Sequence, residues 1–185
     1  GLMATGGSTN LVLHLPAMAK AAGIKLEISD FDDISSVTPL MAKIYPNGLA
    51  DVNHFHAAGG LNYMIAELLE FGYLHNDVQT IMGLGLETYT KEPRLVDGKI
   101  EFVPSSTKSH NEKILRPVSD PFQKSGGIKR LDGNLGSCII KISSVPMEKQ
   151  IIEAPVRVFE AQEEVKSAFK NNELNTDLVI VVRFQ

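Results

Sequence analysis

The sequence predicts an α/β fold, helix-rich up to about residue 90 and β-rich from Ile128 onward, and three observations carry that reading. Leu61, Ile65, Leu68 and Leu69 fall at i, i+4, i+7 and i+8, the stripe of a helix that faces a core. Asp97-Gly98 sits between alternating apolar residues, the strongest short-range hairpin signal. Strand-like apolar runs follow Ile128, with a helical stretch before the last of them.

Taken in order, the elements are punctuated as follows. Gly6-Gly7-Ser8-Thr9-Asn10 precedes Leu11, Leu15, Met18 and Ala22 at helical spacing, with Ser8 or Thr9 as the expected N-cap and Gly23 as the stop. Pro16 lies beyond the first turn, where its missing amide predicts a kink or a later start. Ser29 to Asp33 supply caps for a short helix through Ile34, Val37 and Leu40. Gly72 fits the position just past the helix of the 61–69 stripe. After the Asp97-Gly98 hairpin, residues 104–127 are rich in Pro, Ser, Lys and Gly and read as a linker between domains at 1–103 and 128–185. Strands are expected at 128–131, 138–142, 155–159 and 178–184, with Ala161–Lys170 as a crossover helix carrying Val165 and Phe169. The last run has no alternation, the pattern of a strand buried on both faces. That run, and a start at Gly1, predict a piece of a longer protein with part of its active site elsewhere.

Composition narrows the functions. A chain of 185 residues can bury a core without disulfides. Lys plus Arg number 18 against 22 Asp plus Glu, a net charge of −4, so no basic field invites nucleic acid. Hydrophobic residues at 43% and charged ones at 22% fit a globular rather than a disordered chain. No apolar run approaches the ~20 residues that span a bilayer, so no membrane association is expected. Cys138 is the single cysteine, which excludes an internal disulfide and a set of thiolate metal ligands and points to a reducing, cytoplasmic setting.

The 6–10 turn is the leading chemical candidate. A helix N-terminus with free amides and the hydroxyls of Ser8 and Thr9 can receive phosphate or carboxylate, and an ordinary helix cap is the plainer alternative. The turn has neither a Walker loop nor a dinucleotide fingerprint. His54 and His56 flank Phe55; on a helix they point about 200° apart and do not share a metal, although either can serve as acid, base or substrate donor. His14, between leucines, reads as a hydrogen-bonded interior residue. Asp30, Asp32 and Asp33 lack the glycine and distal glutamate of a calcium loop and read as helix-start charge. Gly126-Gly127 and Gly133-Asn134-Leu135-Gly136 imply close backbone approach or hairpin corners. Cys138 reads as strand packing, and Glu153 and Glu160 as surface residues.

As strings these segments resemble one family. Gly6-Gly7-Ser8-Thr9-Asn10 with His14-Leu15, Pro39 to Gly48, Asn53-His54-Phe55-His56-Ala57-Ala58-Gly59-Gly60, Gly133-Asn134-Leu135-Gly136 and Ile152-Glu153-Ala154-Pro155 with Val158-Phe159-Glu160 are similar, in order, to the IlvD/Edd dehydratases. Tyr45-Pro46-Asn47-Gly48, the Asn-His-Phe-His segment and Tyr89 to Pro93 resemble the branch acting on a phosphorylated sugar acid, while Leu11 stands where that branch often has histidine. The resemblance implies an internal piece of a hydro-lyase. It would hold the end of a helix-rich α/β amino-terminal domain and the start of a β-rich, barrel-like, swivelling carboxy-terminal domain.

The implied reaction removes water from 6-phospho-D-gluconate to give 2-dehydro-3-deoxy-6-phosphogluconate in the Entner-Doudoroff route. Its implied cofactors are an iron–sulfur cluster acting on the leaving C3 hydroxyl and a divalent cation such as Mg at the carboxylate, neither of them bound by this segment alone. Cysteines upstream, and a carboxylate and a serine base beyond Gln185, are the implied sources of that chemistry. Isolated, the segment is expected to be inactive, and within the whole enzyme a homodimer is expected. Ser8, Thr9 and Asn10, with His54 and His56, remain the substrate-binding candidates, with no metal ligand among them. The alternatives are a dihydroxy-acid or sugar-acid dehydratase of the same family, or a non-catalytic binding or assembly module.

Overall fold

The computed structural model describes residues 1–184, which form a mixed α/β chain of six α-helices, three short 3-10 helices and four two-stranded sheets. It divides into two units, Gly1–Val145 and Pro146–Gln185. No sheet closes into a barrel among the described residues.

In the first unit a single turn, α1 (Leu2–Thr5), leads through the Gly6-Gly7 bend to α2 (Leu11–Ala21). Pro16 sits inside α2, which nevertheless runs through it, and only Val12 of the helix is fully buried. The helix α3 (Ile28–Val37) starts on a capping box in which the Glu27 amide donates to Asp30 at 2.7 Å. Its core-facing pair is Phe31 and Ser35 rather than Ile34 and Val37, which are exposed, and Leu40 lies beyond the helix in a bridge to Gln123. Next come α4 (Val52–Ala57) and α5 (Gly60–Glu70), the latter ending before Gly72, whose φ of 76° fits the left-handed stop. In α5 the buried face is Tyr63, Met64 and Leu68; Leu61 is exposed, so the core takes the stripe rotated from the leucine pattern.

A short pair, β1 (Gln79–Thr80) and β2 (Gly83–Leu84), precedes two six-residue hairpins. The first joins β3 (Lys91–Val96) to β4 (Lys99–Pro104), with Asp97 and Gly98 both at positive φ, the geometry of a type I′ turn. The second joins β5 (Ile128–Gly133) to β6 (Gly136–Lys141). Between the hairpins, residues 105–127 bring Leu115 and Val118 into the larger core beside Met41, Ala42, Tyr63 and Met64. A smaller core gathers Met3, Val12, Phe31 and Ile128.

In the second unit β7 (Val156–Phe159) pairs in parallel with β8 (Val179–Val182), and α6 (Gln162–Lys170) makes the crossover that parallel strands require. Phe159 and Ala168 are its buried apolar residues. β8 is only half-buried here, with Ile180 exposed, so the expected two-faced burial is not seen. His14 and Cys138 are also exposed, contrary to the interior positions their apolar neighbours suggested. The neighbours of His14 are themselves exposed or half-buried, so α2 turns its polar-looking and apolar residues alike toward the surface.

Candidate functional site

The turn at 6–10 is held by side chains from two distant segments. The Gly6 carbonyl accepts from Asn47 Nδ2 at 2.8 Å, and Asn47 Oδ1 in turn accepts from the hydroxyls of Ser143 at 3.1 Å and Ser144 at 2.7 Å. One peptide further, the Gly7 carbonyl accepts from Lys141 Nζ at 2.7 Å. A side chain at Gly6, where φ is +59°, would run into Asn47, so the close approach and the left-handed backbone both call for glycine.

These contacts wall a cleft of about 240 Å³ lined by Thr5, Gly6, Gly7, Ser8, Thr9, Ile44, Tyr45, Pro46 and Lys141. Ser8, Thr9 and Asn10 are all exposed. The N-cap of α2 is Asn10, and no side chain makes a cap hydrogen bond, which departs from the expected cap at Ser8 or Thr9. Ser8 Oγ instead accepts from the Asn10 amide at 3.2 Å, a local turn, and the amides of Ser8 and Thr9 have no acceptor among the described residues. The residues that line this concavity carry those two amides without an acceptor, two hydroxyls and an ammonium, donors of the kind an anion needs. Burial alone pushes the Lys141 ammonium below its ordinary pKa.

His54 and His56 do not join this cleft. His54 is taken up by the start of α4: its amide donates to Asp51 Oδ1 at 3.0 Å, and its ring Nδ1 lies 2.8 Å from the same oxygen. The His54 amide is the main cause that holds the Asp51 carboxyl below the usual carboxylate range. His56 opens onto a second cleft of about 260 Å³ with Asn62, Glu92, Arg94, Ser105, Ser106 and His110. In that cleft Arg94 is already paired with Glu92 at 3.1 Å.

The aspartates divide by role. Asp30 completes the capping box, as helix-start charge should, but Asp32 reaches β5, accepting from the Arg130 amide at 2.9 Å and lying 3.4 Å from Lys129 Nζ. Gly126 and Gly127 do mark close approach: a Cβ on Gly126 would lie 2.5 Å from Met3 Cβ, and one on Gly127 would overlap Ser143. Gly133 and Gly136 meet nothing and are hairpin corners. Glu160 is on the surface, 2.7 Å from Arg183.

Lys141 was missed by sequence reasoning, and a signal for it existed. It stands two residues from Ile139, which packs on the smaller core, so strand alternation places a lysine in phase with the inward set. Asn47 carried no such signal, because its partners lie 41 and 96 residues away. The residues described here do not fit an iron–sulfur cluster or a divalent cation: the single thiol is exposed, and no three His, Cys, Asp or Glu side chains converge among the described residues.

Comparison with known proteins places these residues in a family. Residues 1–89 match the family described as dihydroxy-acid/6-phosphogluconate dehydratase N-terminal, and residues 113–185 match its C-terminal counterpart. The chain is 52% identical over 184 residues to a phosphogluconate dehydratase of Pseudomonas aeruginosa and 50% identical over 184 residues to that of Escherichia coli. A dihydroxy-acid dehydratase of Koribacter versatilis is 36% identical over 184 residues. The first two matches cover 100% of this chain and the third 98%, and the chain spans about 30% of the length of each relative. With matches that run in order through both halves of the sequence, the chain belongs to the dihydroxy-acid/6-phosphogluconate dehydratase family.

Proposed function

We propose that this chain is part of a 6-phosphogluconate dehydratase, a hydro-lyase that removes water from 6-phospho-D-gluconate to give 2-dehydro-3-deoxy-6-phosphogluconate in the Entner-Doudoroff route. The observation that carries it is the difference in likeness: 52% and 50% identity to proteins named phosphogluconate dehydratase against 36% to one named dihydroxy-acid dehydratase, over the same span. The cleft at Ser8 supports it with an anion-receiving donor set next to a helix N-terminus.

In the reaction the C2 proton leaves to a base, the C3 hydroxyl departs as water, and the enol so formed tautomerises to the 2-keto acid. The part of this chain is to bind and orient. Ser8 and Thr9 offer hydroxyls and amides, and Asn10 its side-chain amide, to an acidic end of the substrate, fixing the reacting carbons relative to groups elsewhere in the protein. His56 is a further proposed substrate donor from the second cleft, and His54 joins only when its Asp51 contact opens. An iron–sulfur cluster and a divalent cation such as Mg would supply electrophilic help to leaving group and carboxylate, held by residues outside this segment.

The same reading makes residues 1–103 the end of an amino-terminal α/β domain and 128–185 the start of a swivelling, barrel-like one, joined through 104–127. The interval from 90 to 112 between the two family matches supports a junction in that region. A cytoplasmic homodimer is the proposed setting. No helix among the described residues is long and apolar enough to cross a membrane.

The test is turnover by the full-length protein. It should dehydrate 6-phospho-D-gluconate at least tenfold more efficiently, by kcat/KM, than 2,3-dihydroxyisovalerate, and the reverse order would reassign it within the family. In the same protein, Ser8→Ala with Thr9→Ala should raise KM for the phosphorylated substrate about 100-fold, since each of the two charge-assisted hydrogen bonds is worth ~1.5 kcal/mol, about tenfold. Unchanged kinetics in that double variant would remove the cleft from the proposal.

A further inference from the structure

The hairpin β5–β6 carries basic residues that differ in what neutralises them. Lys129 lies 3.4 Å from Asp32, and Arg130 lies 2.8 Å from Asp132. Lys141 has no carboxylate within salt-bridge distance among the described residues, although it is the one that lines the cleft. Its ammonium has three donors, of which one goes to the Gly7 carbonyl at 2.7 Å. A half-buried cation that keeps unused donors and lacks a counter-charge is electrostatically incomplete, and an incoming anion completes it.

The occupants of the cleft wall say which anion. The ammonium stands on β6, while the hydroxyls of Ser8 and Thr9 stand on the turn before α2, so donors approach from separate segments. A phosphoryl group presents three oxygens in different directions and nearly two charges; a carboxylate presents two oxygens in one plane and a single charge. The spread of donors fits the former.

We propose that Lys141 directly contacts the phosphate of the substrate in this cleft and sets the preference for a phosphorylated over an unphosphorylated sugar acid. This rests on the reading that the cleft beside Ser8 receives an acidic end of the substrate. Holding the Gly7 carbonyl is then the second task of the same side chain, because it fixes the peptide that bears the Ser8 amide.

The test uses the full-length enzyme with Lys141→Gln, which keeps a donor for Gly7 but loses the charge, and Lys141→Arg, which keeps the charge. KM and kcat are measured for 6-phospho-D-gluconate, and Ki for D-gluconate as a competitive inhibitor, with thermal melting as the check on folding. Lys141→Gln should raise KM about 10- to 100-fold, the loss of one charged hydrogen bond, with kcat within about threefold and Ki for D-gluconate unchanged. Lys141→Arg should recover KM to within several-fold of the parent. A parallel rise in the D-gluconate Ki, or a fall in kcat with KM unmoved, would assign Lys141 to the carboxylate or to loop support and overturn the proposal. Silence in Lys141→Gln while the Ser8/Thr9 double variant raises KM would sink Lys141 and leave the cleft reading intact; silence in both would sink the two together. Should Lys141→Gln fail to fold, Lys141→Arg decides: a KM raised 10-fold or more with unchanged melting overturns the charge argument.

Discussion

The two hairpins of the first unit are built alike and held differently. Each has six-residue strands and a two-residue turn, yet the strands β3 and β4 are exposed at nearly every position. In the second hairpin Ile128 is buried in the smaller core, its amide donates to Ser35 Oγ at 3.1 Å, and the Arg130 amide donates to Asp32. Beyond the end of β6, the Ile142 amide donates to Gly127 at 2.7 Å, and Lys141 reaches the turn before α2. Turn chemistry thus makes a hairpin, while partners up to 134 residues away decide whether it becomes part of a site.

The largest expected contrast comes from truncating the anchor. Ile128→Ala removes a side chain that is 2% exposed, and about 3 kcal/mol should be lost from the local stability of β5–β6. Ile100→Ala, at 70% exposure on the free hairpin, should cost under about 0.5 kcal/mol. Amide hydrogen exchange of the strand residues in the full-length protein reads both, and equal protection losses in the two variants would erase the distinction.

The backbone offers the next contrast. Gly127 and Gly98 both have positive φ, at 78° and 76°, but a Cβ at Gly127 meets Ser143 whereas one at Gly98 meets open space. Gly98→Ala should therefore cost about 1 kcal/mol from conformation alone. Gly127→Ala should cost about 2 kcal/mol or more, because overlap adds to strain and the Ser143 hydroxyl that holds Asn47 must shift. A loosened Asn47 would also show as a raised KM, linking the anchor to the cleft.

Smaller again is the loss of one buried acceptor. Ser35 is 1% exposed, and Ser35→Ala leaves the Ile128 amide without its partner, at about 1.5 kcal/mol. Asn62→Ala removes the corresponding tie to the free hairpin, the Asn62 side-chain amide on the Lys91 carbonyl, in exposed surroundings. That change should fall within about 0.5 kcal/mol, as surface substitutions do.

The same division explains what could be read without coordinates. The Asp97-Gly98 turn, the strand pairs around it and the α6 crossover were legible because each depends on neighbours in sequence. The cleft at Ser8 was legible as a glycine-rich turn before a helix, and Gly126-Gly127 as a point of close approach. Its supports were less so: strand alternation puts Lys141 in phase with Ile139 but does not give its partner, the Gly7 carbonyl 134 residues away, and Asn47 reaches the turn only through a contact 41 residues away. The exposed faces of α2 and β8 were misread for the complementary reason: apolar periodicity reports that a face wants cover, and says nothing of whether the cover lies within these residues. His54 shows the local limit, because a histidine that looked chemically available is drawn into a capping box by an aspartate three positions earlier.

The smallest expected effect concerns the turn end of the anchored hairpin and is read by pH. The Ser137 hydroxyl, followed by the Arg130 guanidinium, holds the exposed Asp132 carboxyl below the usual carboxylate range. A carboxyl whose folded pKa is depressed contributes its stability in full above the unfolded value of about 3.9 and loses it as pH falls through the lower folded value. Protection of the β5–β6 turn should therefore hold steady down to about pH 4 and weaken below it. In Asp132→Asn that acid-side step should vanish while protection near Ile128 stays unchanged, because Ser35 and Asp32 hold that end independently. Carboxyl NMR titration of Asp132 checks the cause directly: a midpoint at the ordinary aspartate value would show that the Ser137 and Arg130 contacts do not stabilise the charged form.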